Sequence, residues 1–311
     1  MSVNRLYVFF GYWMEYSLNS LYLYMRENNY NCIEITPTTC PDMRKSLLEL
    51  NASEYVFITS AHVFLNNTGN KFNSTHLTPL EVIDILNPIK SIFYPHDLSH
   101  LLELCGLPWQ NSIFDLLLFP LEGYTHLSCC NNVPVFNVGW IKKLTKTASG
   151  TKFRVGHGIG EYGYHRRIGY SHILDTFQKI WKQGVIVKTG GIKEWDNDRV
   201  FFDTNKIKYI EPSRSIFELI DSCEIMLTNG ITSINMESAL SGRFTINMLD
   251  GVVYQSEQES YFSGIPNLTI MSINDTAELL RDYYKGKFAP PQGEDILKQF
   301  DFKLAAKLIT A

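Results

Sequence analysis

The sequence predicts an α/β protein made of two doubly wound halves that face each other across a cleft. Three observations predict it. Apolar bursts of strand length alternate with amphipathic stretches along the whole chain, which is the pattern of parallel βαβ units. The 311 residues amount to about two domains at roughly 150 residues each. A single Lys/Thr/Ser/Gly-rich stretch, 142–149, divides the chain near its middle. The expected division is a Rossmann-like first domain over 1–145, a Rossmann-like second domain over 150–290 and a closing helix over 291–311.

Taken in order, RLYVFFGYW (5–13) reads as a buried strand running into a helix over 14–28. NCIEIT (31–36) is the next strand, followed by a helix around 42–51 and the strand EYVFITS (54–60). A helix around 79–86, the strands 90–96 and 115–120 and the segment 134–140 complete the first half. NNTGNKFNSTH (66–76) is a polar surface loop. In the second half KFRVGHG (152–158) is a strand, 171–184 a helix ending at Gly184, and VIVKT (185–189) a strand. Strand 207–212, helix 215–223, strand 224–229, helix 232–241 and strand 243–249 follow. Two helices, 273–286 and 292–309, close the chain.

Composition excludes several classes. With 28 basic and 32 acidic residues the net charge is −4, which argues against a nucleic-acid binder. No stretch approaches the ~20 apolar residues of a membrane span. The first residues lack the basic and apolar segments of a signal peptide. The six cysteines contain no C-x-x-C pair, so neither a zinc site nor a disulfide framework is expected. The expected location is the cytoplasm, with at most peripheral contact at the inner face of a membrane.

Charge is nevertheless uneven. Residues 1–139 hold 6 basic and 12 acidic side chains, 140–215 hold 15 and 7, and 216–311 hold 7 and 13. A basic island of this kind is either a solvated surface or a cleft that concentrates anionic ligands.

Within 210–249, a strand ends in Thr228-Asn229-Gly230, and Thr232 and Ser233 then open a helix. Helix N-termini attract anions through unpaired N–H groups, and a glycine lets a phosphate approach the backbone. Glu237 lies one helical turn further on, where a carboxylate can accept hydrogen bonds from ribose hydroxyls. This strand, T-N-G-x-T-S, helix with Glu, then S-G-R-F, resembles the second domain of glycosyltransferases of the GT-B fold. It is also similar to the UDP-N-acetylglucosamine 2-epimerases. The resemblance covers about 205–250 and implies a GT-B-like architecture. It makes Asn229, Gly230, Thr232 and Ser233 phosphate contacts and Glu237 a ribose contact. It also places Glu211, Pro212, Ser213 and Arg214 near the base or ribose.

Two other stretches carry chemistry. VGHGIGEYGYHRRIGY (155–170) brings Gly158, Gly160, His157, Arg166 and Arg167 to the end of a strand inside the basic island. Glycines admit a diphosphate and arginines offer it fixed donors. Tyr164-His165-Arg166-Arg167 resembles the His-Arg-Arg of the 2-epimerases, although Ile168-Gly169 stands where Glu-Asn usually follows. His157-Gly158 resembles the His-Gly of glycerophosphotransferases of the wall-teichoic type. FYPHDLSHLLE (93–103) places His96, Asp97 and His100 after a strand of the first half, where a base for an acceptor hydroxyl is needed. Glu15 is a weaker candidate for an acceptor contact.

The expectation is therefore transfer of a sugar from a nucleotide-activated donor to a surface-glycan or lipid-linked saccharide. His96 or His157, beside Asp97, is the proton acceptor, and Arg166, Arg167 and the Gly230 turn replace a metal at the leaving group. No cofactor and no metal site are expected. The alternatives are 2-epimerisation, CDP-alcohol phosphotransfer and a non-catalytic protein that binds nucleotide or glycan.

Overall fold

The strands of both halves are apolar runs because a parallel sheet covered on both faces has no solvent side. In the first half these are β1 (Arg5–Phe10), β2 (Cys32–Ile35), β3 (Glu54–Thr59), β4 (Lys90–Phe93), β5 (Leu116–Phe119) and β6 (Val135–Asn137). All four residues of β5, LLLF, are buried. The second half contributes β7 (Phe153–Ile159), β8 (Ile186–Thr189), β9 (Tyr209–Ile210), β10 (Cys223–Asn229), β11 (Phe244–Leu249) and β12 (Leu268–Ser272). The computed structural model describes residues 4–11, 18–60, 77–95, 98, 113–121, 133–143, 153–159, 177–189, 195–230, 232–249, 262 and 264–311.

Both sheets are six-stranded and parallel, in the orders β2-β1-β3-β4-β5-β6 and β12-β11-β10-β7-β8-β9. From β7 the second sheet grows through β8 and β9 to one side, and through β10, β11 and β12 to the other. That is the doubly wound order with its topological switch point between β7 and β10. Residues 1–143 and 298–311 form one compact unit and 144–297 the other.

In the first unit α1 (Asn19–Glu27), α2 (Met43–Leu48) and α3 (Pro79–Leu86) connect the strands. The start of α3 is written locally. Thr78 and Glu81 form a reciprocal capping box, and Pro79 supplies the first helical residue without wasting a donor. In the second unit, residues 177–181 are helical, and α4 (Trp195–Asn205), α5 (Ile216–Ser222), α6 (Ser233–Leu240) and α7 (Ile273–Tyr284) follow. The second core gathers Val155, Phe177, Trp181, Val187, Phe202, Leu227 and Ile246 around β7, β8, β10 and β11. Among the described residues no helix is long and apolar enough to cross a membrane.

The structure departs from the sequence expectation at three places. The helix expected over 292–309 is confined to α8 (Phe302–Thr310), which starts where the Asp301 carboxylate accepts from the Leu304 N–H at 2.9 Å. Upstream, Gly293, Ile296 and Leu297 donate to backbone carbonyls of Gly242 and Leu240 instead of to a helix of their own. Helix α4 and strand β12 were not expected. The α4 sequence, WDNDRVFFDTN, is rich in Asp and Asn, which favour caps and turns over helix interiors.

Candidate functional site

Strand β10 is buried along nearly its whole length and ends at Asn229. Gly230 follows with φ +69°, and no described atom lies within 4 Å of where its Cβ would stand. The turn thus needs glycine for its backbone and leaves room beside it. Thr232 is extended and caps α6, its hydroxyl accepting from the Ile234 N–H at 3.5 Å. The turn is braced from inside the helix. Asn235, fully buried, donates through Nδ2 to the Gly230 carbonyl at 2.8 Å, and its Oδ1 accepts from the Thr228 hydroxyl. Glu237 lies further along α6 and is also buried.

Across the switch point, His157 of β7 is fully buried against Phe177, their ring centroids 4.9 Å apart and nearly perpendicular. The indole N–H of Trp181 points at its Nδ1 from 2.8 Å. An indole nitrogen only donates, so Nδ1 accepts and the ring proton sits on Nε2. Nε2 then donates to Oδ1 of Asn229 at 3.2 Å. Burial pushes the His157 pKa down to about 3, partly offset by the bond to Asn229. The imidazole is neutral at physiological pH and both its nitrogens are occupied. It joins the carboxyl ends of β7 and β10 where the strand order reverses.

No protein-family model matches the chain, and no curated protein matches it in sequence. Solved structures do match it over nearly their whole length. HepE of Anabaena, in complex with UDP and glucose, is 10% identical over 99% of this chain and 100% of its own, with a TM-score of 0.51. MurG of Acinetobacter baumannii is 6% identical over 99% of both chains, also at 0.51. A Listeria monocytogenes protein assigned as a UDP-N-acetylglucosamine 2-epimerase is 10% identical over 94% of this chain and 93% of its own, at 0.51. The fold is GT-B.

In this GT-B chain, Asn229, Gly230, Thr232 and Ser233 stand together at the carboxyl edge of the second sheet, with His157 bonded to Asn229. Gly158 lies within β7, and its missing side chain makes room for helices. A Cβ there would come within 2.9 Å of Ile234 and 3.2 Å of Ile216. Glu211 and Ser213 are exposed on the turn between β9 and α5. Gly160, Arg166, Arg167, His96 and Asp97 lie outside the described residues, as do Glu15, His100 and His165. Among the described residues no group of three or more His, Cys, Asp or Glu side chains could hold a metal ion.

The structure adds three polar residues that the sequence reading missed, Asn235, Trp181 and Lys188, and gives Thr228 of the turn a bonding partner in Asn235. Asn235 had a visible signal, a carboxamide in the first turn of the helix that follows the Gly230 turn (SINMESAL). Lys188 had one too, a charge at the end of the apolar run VIV.

Proposed function

We propose that the chain is a glycosyltransferase, moving a sugar from a nucleotide-activated donor to a hydroxyl of a saccharide or lipid-linked saccharide. The observation that carries the reading is the polar cluster His157, Thr228, Asn229, Asn235 and Gly230 at the switch point of the second sheet. Buried polar groups cost stability unless fully bonded, and α/β sheets bind ligands at this position. A donor diphosphate would sit over the Gly230 turn and the N-terminus of α6, with its ribose toward Glu237. HepE, a GT-B neighbour, was solved with UDP and glucose, which supports a nucleotide-sugar ligand.

In the transfer, the acceptor oxygen bonds to the anomeric carbon while the bond from that carbon to the phosphate oxygen breaks. The electron pair leaves with the nucleotide, and the acceptor proton passes to a base. Charge growing on the phosphate is met by the α6 N–H groups and by Arg166 and Arg167. His96, with Asp97, is the proposed base. His157 is better suited to orienting Asn229, because its one lone pair is taken by Trp181. The positive charge in this scheme comes from the protein, so transfer in EDTA should match transfer with added Mg²⁺.

A thermal-shift panel of UDP, GDP, CDP, CMP, dTDP and ADP tests the reading. One nucleotide should raise the melting temperature of wild type, by mass action on the native state, and fail to raise that of Glu237→Ala. No shift at millimolar concentration would remove the donor site. A second reading, 2-epimerisation, draws on the Listeria neighbour. Release of a free epimerised sugar from UDP-N-acetylglucosamine without any acceptor would favour it.

A further inference from the structure

Lys188 is the third residue of β8 and only 6% exposed. An ammonium group held out of water is expensive unless a partner offsets it. Its surroundings offset little. Nζ donates to the Pro212 carbonyl at 3.0 Å, and among the described residues this is the one hydrogen bond of its three donors. Pro212 lies just ahead of Ser215, whose hydroxyl caps α5 by accepting from the Phe217 N–H at 3.2 Å. The ammonium therefore stands near the positive end of a helix dipole, where a cation is disfavoured. Glu218, in the first turn of α5, supplies an opposite charge but is also ion-paired with Arg214. Burial prevails over Glu218 and brings the Lys188 pKa down to about 8.

The register explains where this charge sits. Lys188 pairs with Gly158, so the two residues point to the same face of the sheet. On that face Ile216, the first residue of α5, and Ile234, the second of α6, converge on Gly158. A buried ammonium thus lies on the face of the sheet over which the first residues of α5 and α6 meet, two strands from the strand that ends at the Gly230 turn.

We propose that Lys188 is a phosphate ligand of this site: when a nucleotide binds, its ammonium donates to the phosphate oxygens. The inference rests on the donor-site reading and extends it to a residue outside the T-N-G-x-T-S turn. It has a consequence that a structural lysine would not share. An arriving phosphate stabilises the charged form, so binding near pH 8 is accompanied by proton uptake.

Calorimetric titration of wild type, Lys188→Met and Lys188→Arg with UDP, CDP, GDP, ADP, dTDP and CMP at pH 8.0 tests this. Each titration is repeated in two buffers of different ionisation enthalpy. Wild type should take up as much as about half a proton per nucleotide, since a group at its pKa is half titrated. Lys188→Met should bind about 10- to 100-fold more weakly, the range for loss of a hydrogen bond to a charged group. Lys188→Arg, permanently charged, should keep most of the affinity and lose the proton uptake. Unchanged affinity in Lys188→Met, or equal proton uptake in Lys188→Arg, overturns the inference and leaves the donor site standing. Absence of binding to wild type by every nucleotide overturns both.

Discussion

At the carboxyl ends of the first sheet the buried side chains include Phe10, Thr59, Ser60 and Tyr94. At the switch point of the second they are a histidine, an asparagine and a threonine, with a lysine one strand over. The contrast extends through each unit. Among the described residues, the buried polar side chains of the first unit include Thr36, Thr59, Ser60 and Ser91 and the phenol of Tyr94, whose hydroxyl bonds the backbone of Gly139 and Ile141. Every buried histidine, lysine, glutamate and asparagine among the described residues, including His157, Lys188, Asn235 and Glu237, belongs to the second. The charged ties of the first unit run instead to half-exposed positions. Arg5 pairs with Glu54 at 2.9 Å, and the Lys90 ammonium caps α8 by donating to the Leu308 carbonyl at 2.8 Å. The first unit keeps its charged ties at half-exposed positions, and the second buries a bonded polar cluster at its switch point.

The largest effect that could break this contrast is acid sensitivity. His157 has a folded pKa near 3 against 6.5 in the unfolded chain, so between those values the unfolded state binds the extra proton. Its contribution is present in full above pH 6.5 and is lost as pH falls toward 3. The slope approaches 1.4 kcal/mol per pH unit, roughly the value for one proton. Urea denaturation of wild type and His157→Leu across that window should give curves whose separation narrows as pH falls. Parallel curves would mean that the imidazole is not held neutral.

Next in size is Asn235→Ala, which leaves the Thr228 hydroxyl and the Gly230 carbonyl without their buried partner. The Gly230 carbonyl loses its side-chain donor, and the Thr228 hydroxyl is left with the longer bond to the Ile246 carbonyl at 3.4 Å. The cost, about 1–3 kcal/mol for an orphaned buried group, should exceed that of Ser91→Ala in the first unit. There the lost bonds, to Asp115 and the Ile113 carbonyl, are only partly buried. Equal losses of unfolding free energy would erase the distinction between the two units.

The fold was legible because it depends on local pattern. Apolar runs such as LLLF and YVFIT, short and bounded by turn residues, read as buried strands, and Thr78-Pro79-x-Glu81 announces its own helix. The turn at Thr228-Asn229-Gly230 was legible for the same reason, a left-handed glycine between a strand and a capping threonine. What could not be read was pairing across distance. His157 looked like a base because its sequence neighbours are glycines and a basic island. The Trp181 indole that occupies its lone pair is 24 residues away. Lys188 reads as the end of a strand until its register with Gly158 puts it on the face that α5 and α6 cover.

Gly230→Ala gives a smaller effect with a sharper reading. The left-handed backbone should cost about 1–2 kcal/mol on the general penalty for a side chain at positive φ. No described atom meets the added methyl, so the structure predicts little beyond that. A phosphate over the turn would meet it. Nucleotide affinity should therefore fall well beyond the stability cost, by about tenfold or more for a displaced charge-assisted contact. Loss of stability with unchanged affinity would make the turn a scaffold feature like those of the first unit.

The smallest expected effect is the Arg5–Glu54 pair, and it completes the comparison from the other side. The side chains are 33% and 29% exposed, so water screens an ion pair whose geometry is otherwise good. Its hydrogen bond to Glu54 is the main reason the Arg5 guanidinium is held above its ordinary pKa. A double-mutant cycle with Arg5→Met and Glu54→Gln should give a coupling below about 1 kcal/mol, weaker again in high salt. A coupling of several kcal/mol would show that the first unit also draws much of its stability from charged contacts. Charge would then be general to both scaffolds, and the buried polar groups of the second unit would lose their value as support for the proposed donor site.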